Sequence, residues 1–344
     1  MKNFAIQVCP AVAVCLLALP AMAQSCLGDL NADRTVTGAD LGILLGQWGQ
    51  TGSGDLDGNG IIGGADLGLL LGVWGACPVT VPSWATLVEA QPDPAVVTNA
   101  TLREAITASG LAWRVRDTAT QMEMLLVPPG AFTMGCTAST GWGCFSWEYP
   151  THAVTLTQSF YMGRYEVTQS QWVAKMGSNP SYFQGAAFPD AANRPVELVS
   201  WTTIQGYLSA TGLRLPSQAE WEYACRASTT TAFNNGSSDD ATVGTIAWYS
   251  SNSGGQTHAV GGKAANALGL HDMAGNVWEW VNDWFGGYSS YAQTNPLGPV
   301  SGSLRVYRGG GWSDNTDYMR SSCRIQLSPG SAYRAIGFRV ARSP

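Results

Sequence analysis

One short pattern occurs twice, 26 residues apart, and it restricts what the first part of this chain can become. Gly28-Asp29-Leu30-Asn31-Ala32-Asp33 returns as Gly54-Asp55-Leu56-Asp57-Gly58-Asn59, Gly38-Ala39-Asp40-Leu41 as Gly64-Ala65-Asp66-Leu67, and Trp48 as Trp74. In each copy oxygen-bearing side chains stand at loop positions 1, 3, 5 and 12: Asp29, Asn31, Asp33 and Asp40, then Asp55, Asp57, Asn59 and Asp66. That spacing lets a loop wrap a hard cation such as calcium, with a backbone carbonyl from position 7, here Thr35 and Ile61. Helix-period apolar sets follow, Leu41, Leu44, Leu45, Trp48 and Leu67, Leu70, Leu71, Trp74, so two helices can bury their stripes together. Position 6 needs a sharp turn. The second loop has Gly60 there and the first has Arg34, so the second is expected to be the stronger site.

The repeat pair, residues 24–77, resembles a type I dockerin, a small α-helical EF-hand-like module. The resemblance implies bound calcium and docking to a cohesin-like protein. Gly38-Ala39 and Gly64-Ala65 stand where such modules carry recognition side chains, which leaves the partner open.

The first residues suggest export. Lys2, an apolar run from Ala11 to Leu19, and Ala21-Met22-Ala23 before Gln24 read as a signal peptide over residues 1–23, and the protein as secreted or cell-surface. No later run is long enough for a membrane span. A net charge of −6 with no basic stripe excludes nucleic acid as a partner. Of eight cysteines, Cys9 and Cys15 leave with the signal; six remain and pair by position as Cys26 with Cys77, Cys136 with Cys144, and Cys225 with Cys323.

Residues 78–120 read as linker and lead-in: a proline-bearing extended stretch, then a short helix near Leu102 to Ser109 and a strand over Ala112–Val115. From Gln121 on, short apolar runs alternate with Gly, Pro and Asn. Ser217–Arg226 is the one clear helix, with Ser217 and Glu220 in capping-box register. With 41 glycines, 14 tryptophans and only 12% charged residues, residues 121–344 should form a loop-rich, aromatic-packed α+β domain.

An ordered set of motifs runs through that domain: Pro129–Gly135, Tyr165-Glu166-Val167-Thr168-Gln169, Asn179-Pro180-Ser181, Pro195-Val196, Val199-Ser200-Trp201, Leu213–Tyr223, Gly269–Trp280, Arg308–Trp312 and Gly337–Val340. Together they resemble the formylglycine-generating enzyme (sulfatase-modifying factor) family, which implies a variant of the C-type lectin fold with much irregular structure. By that resemblance Asp272 and Glu279 would offer carboxylates, and Gly275 and Val277 carbonyls, to a structural calcium, while Cys225 and Cys323 would form a family disulfide. The family's oxidase holds copper between two cysteines, because soft thiolates suit copper(I). Here Asp314 stands at the first position, Tyr318 or Met319 at the second, and Gly311 replaces a serine, so copper is not expected. His152, His258 and His271 lack the close spacing of an iron site. Two readings stay open. One is a calcium-stabilised binding or assembly protein with an unknown peptide or glycan ligand and no catalytic residues. The other is a divergent formylglycine-generating oxidase acting on sulfatase-type cysteine peptides or another substrate.

Overall fold

The computed structural model describes residues 26–138 and 143–344; the expected signal segment lies outside the described residues. Helices α1 (Gly38–Gly46) and α2 (Gly64–Gly72) follow the two acidic loops. Thr37 caps α1 by accepting from Ala39 N, while the Asp40 carboxylate reaches back to Thr37 N. Gly63 has no side chain to cap α2, so Asp66 alone reaches back, to Gly63 N. A two-residue antiparallel pairing of Thr35–Val36 with Gly75–Ala76 and the Cys26–Cys77 disulfide close the ends of this unit. The helices have nine residues each, too few to bury whole stripes: Leu44, Leu70, Val36 and Ile62 form the small core. Leu45, Trp48, Leu71 and Trp74, expected inside, are about half exposed.

The remainder is a mixed α/β body with three sheets. A five-stranded sheet runs, edge to edge, through Ala341–Arg342, Phe160–Gly163, Glu123–Val127, Arg114–Asp117 and Ala85–Glu89. Its last strand corrects the linker reading: residues 85–89 pair with Arg114–Asp117, and Thr80 bridges to Leu111. Prolines flank this stretch and Leu87 on the outer strand is half exposed, so the edge lacks the alternating burial that marks an inner strand. A four-stranded sheet joins Arg324–Leu327, Arg305–Arg308, Trp278–Trp284 and Ile336–Phe338, and a three-stranded sheet joins Gln293–Thr294, His152–Leu156 and Gly130–Met134.

Helix α3 (Ala100–Ala108) falls close to its expected place. Helices α4 (Gln169–Met176) and α5 (Trp201–Thr211) were not foreseen, although Thr168 and Ser200 cap them and Gly177 and Gly212 end them in the left-handed conformation. Helix α6 (Gln218–Arg226) carries the expected capping box: Ser217 Oγ accepts from Glu220 N, and Glu220 accepts from Ser217 N at 2.8 Å. Trp113, Trp221, Trp280, Tyr161, Tyr207 and Phe338 fill the core between these elements.

Buried charge is spread through this interior. Glu222 on α6 is fully buried and pairs with Arg226 at 2.9 Å and Arg308 at 2.8 Å, joining the helix to the four-stranded sheet. Glu148 pairs with Arg320, both fully buried. Glu197, also fully buried, accepts from the backbone N–H groups of Tyr182 and Phe183, and burial pushes its carboxyl up to about 7.

Two outcomes follow from these groups. Glu222→Ala strands two buried guanidiniums and should lower unfolding free energy by about 3–5 kcal/mol, read by denaturant titration. The unfolded chain takes Glu197 back to the ordinary range of about 4.3, so the native state holds the extra proton between the two values. Stability from this group is therefore full at low pH and lost as pH rises through about 7. Glu197→Gln should flatten the fall in stability between about pH 4 and 7 in a denaturation series, and an unchanged slope would refute the assignment.

Candidate functional site

The second acidic loop is the better formed of the two. Asp55, Asp57 and Asp66 each bring a carboxylate oxygen within 4.8 Å of the others. Asp66 accepts from Leu56 N and Gly63 N, and the N–H groups of Gly63 and Asp57 hold its carboxyl below the usual range. Asn59 Oδ1 accepts from Ile61 N, and Asp55 Oδ2 accepts from Gly60 N at 2.9 Å. Asp55 Oδ1 is buried with no hydrogen-bond partner among the described residues. An oxygen so placed costs stability unless a cation or donor meets it, so the residues present fit calcium.

In the first loop Asp29 accepts from Asp33 N and Arg34 N, Asn31 and Asp33 bond each other, Asp33 also accepts from Thr35 N, and Asp40 accepts from Leu30 N. Position 3 here is Asn31, so this loop offers carboxylates at positions 1, 5 and 12, and Asp29 also lies against the Cys26–Cys77 disulfide. Arg34 is held at φ 66, where Gly60 has φ 93 without side-chain strain, and its guanidinium reaches Pro78 O.

In the large body the turn from Asp272 to Glu279 is built on left-handed residues, Asp272 (φ 56), Gly275 (φ 79) and Asn276 (φ 59). A side chain at Gly275 would run into the Trp248 backbone. Asp272 Oδ2 accepts from Gly261 N at 2.6 Å. Glu279 does not stand free as a ligand: both its oxygens accept from Arg339, and Oε2 also accepts from Trp221 Nε1 at 2.6 Å. Glu166 holds the turn from beneath, accepting from Asn276 Nδ2 at 2.6 Å and Val277 N at 3.0 Å.

Three buried carboxylates, Glu166, Asp272 and Glu279, thus face one buried guanidinium, Arg339. Burial, together with the charges of Asp272 and Glu279, drives the Glu166 carboxyl well above its usual range, and burial lifts Asp272 to about 6. The four expected ligands, Asp272, Gly275, Val277 and Glu279, share this one turn, but Glu279 is already claimed by Arg339 and Trp221. In the sequence Glu166 is marked only as the acid between Tyr165 and Val167, with no ligand spacing around it.

At the positions the resemblance reserves for copper, Asp314 Oδ2 accepts from Trp278 Nε1 at 2.7 Å and Gly311 N at 3.0 Å. Tyr318 packs its ring near Trp278 and Phe145, and Met319 is buried in a side cluster with Phe233 and Ile246. These residues do not fit a two-thiolate copper centre. Cys136 and Cys144 are bonded as expected. Cys225 and Cys323 correct the expected third pair: both are thiols, fully buried in the main core, with Cys225 Sγ turned to Met273 O. Burial pushes the Cys225 thiol up to about 12 and Cys323 higher still, so neither is a ready thiolate. Each histidine spends a ring nitrogen on a nearby carbonyl: His152 on Pro150, His258 on Ser253 and His271 on Lys263. Trp278 and Trp280 are core, whereas Trp284 and Trp312 are partly open.

Similarity to known proteins agrees with this geometry. The sulfatase-modifying factor enzyme 1-like domain pattern matches residues 97–344. The serine/threonine-protein kinase Pkn1 of Chlamydia caviae is 34% identical over 57% of this chain, which spans about a third (34%) of that protein's length. The formylglycine-generating enzyme of Thermomonospora curvata is 30% identical over 58% of this chain and 73% of its own. Among solved structures, Treponema denticola variable protein 1 superposes with a TM-score of 0.59 at 30% identity, over 65% of this chain and 95% of its own. With its pattern matched across more than half of its length, the chain belongs to the sulfatase-modifying factor enzyme 1-like family.

Proposed function

We propose that this is an exported, calcium-stabilised binding or assembly protein, whose family domain has given up copper-dependent oxidation and is tethered through the dockerin-like repeat pair to a cohesin-like partner. The observation that carries the reading is the replacement of both copper positions. Asp314 is a hard oxygen donor already committed to Trp278 and Gly311, and Met319 is packed away from it in the core. Calcium would sit in the repeat loops on Asp55, Asp57, Asn59, Ile61 and Asp66, more weakly on Asp29, Asn31, Asp33, Thr35 and Asp40, and in the large domain on the Asp272–Glu279 turn. In each place it neutralises acids and fixes irregular backbone where few ladder hydrogen bonds exist. The two disulfides support an oxidising compartment.

Calorimetric titration of the full chain with calcium should therefore show binding, and Asp55→Ala should weaken the repeat-loop affinity about tenfold more than Asp29→Ala. Equal losses would remove the distinction between the loops, and no heat at all would overturn the calcium reading. Incubated with copper, reductant, oxygen and a Cys-x-Pro-x-Arg peptide, the protein should yield no aldehyde by mass spectrometry beyond a copper-only control. Turnover above that control would restore the oxidase.

A further inference from the structure

We propose that the repeat pair and the family domain form one rigid body, with Arg34 as the strut that fixes the angle between them. The connection between the two parts is far shorter than its prolines suggest. Cys77 N donates to Arg34 O at 2.9 Å within the repeat unit, and Thr80 N already donates to Gly110 O at 2.8 Å beyond it. Ala112 N returns a bond to Thr80 O, which completes the parallel bridge of Thr80 with Leu111. Only Pro78 and Val79 stand between those two anchors.

A residue has two soft dihedrals, and few of those in this connector stay free. The proline ring locks φ of Pro78 and confines Cys77 before it to extended conformations. The Cys26–Cys77 disulfide ties Cys77 back to the start of the repeat unit, and Val79 packs its side chain against the main core. What remains is chiefly rotation about ψ of Pro78, which swings the Pro78 carbonyl. Arg34 Nη2 donates to that carbonyl at 2.8 Å, so the last soft angle is held from within the first acidic loop.

The choice of residue at loop position 6 points the same way. That position is left-handed in both copies, and Gly60 takes it in the second at φ 93. Arg34 takes it in the first at φ 66, where its Cβ is a steric burden that glycine does not carry, and it is 9% exposed. A residue held in a disfavoured conformation suggests a role outside the turn itself, and the bond to Pro78 O supplies one. Tight packing does not set the angle on every side. A cavity of about 500 Å³ lies between Ala32 and Asp33 of the first loop and Ala100, Glu104 and Ala108, which stand four residues apart along α3. A partner captured by the repeat pair would thus meet the family domain in one pose, and the rigidity itself requires neither that partner nor a bound cation.

Residual dipolar couplings and amide relaxation, measured by NMR on the full chain in calcium-containing buffer, test this. In the unaltered protein one alignment tensor should fit the amides of residues 28–76 and of residues 97–344, and both sets should give one rotational correlation time. Arg34→Gly restores the residue that the turn favours and removes the strut. The repeat pair should then stay folded, need a tensor of its own and tumble faster than the family domain. Arg34→Asn, which also accepts the left-handed conformation but is too short to reach Pro78 O, should do the same. Two tensors in the unaltered protein, or one shared tensor in both variants, would each overturn the proposal. So would unfolding of the repeat pair in both variants, which would make Arg34 a residue of loop stability rather than of orientation.

Discussion

The contact between Arg339 and Glu279 is the one on which the large body most depends. Arg339 stands beside the strand Ile336–Phe338 near the chain's end, and Glu279 lies in the strand Trp278–Trp284 that pairs with it in parallel. The guanidinium also donates to Gly163 O and His271 O, reaching the five-stranded sheet and the entry to the Asp272–Glu279 turn. Trp221 Nε1 brings α6 to the same carboxylate. A buried charge is costly unless it is paired and hydrogen-bonded, and the partners of this guanidinium tie together two sheets, a helix and an irregular turn.

That solution brings a second problem with it. Glu166 and Asp272 are buried beside the pair, and burial with the neighbouring acids raises both carboxyls above their usual ranges. The proposed calcium would meet these acids at the place where the chain is least regular, much as the proposed ion in the second repeat loop would meet the unpartnered Asp55 oxygen. In both places the proposed ligand set would do what a longer helix or a wider sheet does elsewhere: hold a turn whose backbone hydrogen bonds are few.

At the segment where the family resemblance would place copper, the bonds made are structural. Asp314 now closes a turn by accepting from Gly311 N and anchors the Trp278 indole. These are structural bonds, made by a residue whose oxygen is hard where copper(I) would need soft sulfur. Cys225 and Cys323 survive nearby, but as thiols pushed by burial far from ionisation they serve as small apolar side chains.

The sequence by itself determined whatever depends on local spacing: the duplicated acidic loops and their capping aspartates, α6 with its Ser217–Glu220 box, the Cys26–Cys77 and Cys136–Cys144 pairs, and the motif order that marks the family. The loops, the caps and the α6 box are each written within about a dozen residues, the two bonded cysteine pairs in their positions, and the family in the order of its motifs. Only the tertiary structure decided the rest. The edge strand Ala85–Glu89 exists because Arg114–Asp117 offers it an open ladder; Glu166 matters because the fold lays it under Val277, more than a hundred residues on; Glu279 is claimed by Arg339 and Trp221; and Leu45, Trp48, Leu71 and Trp74 remain half exposed because two short helices meet over one turn each. Periodicity tells which side chains could be buried together, but burial and charge pairing are set by what the rest of the chain brings against them.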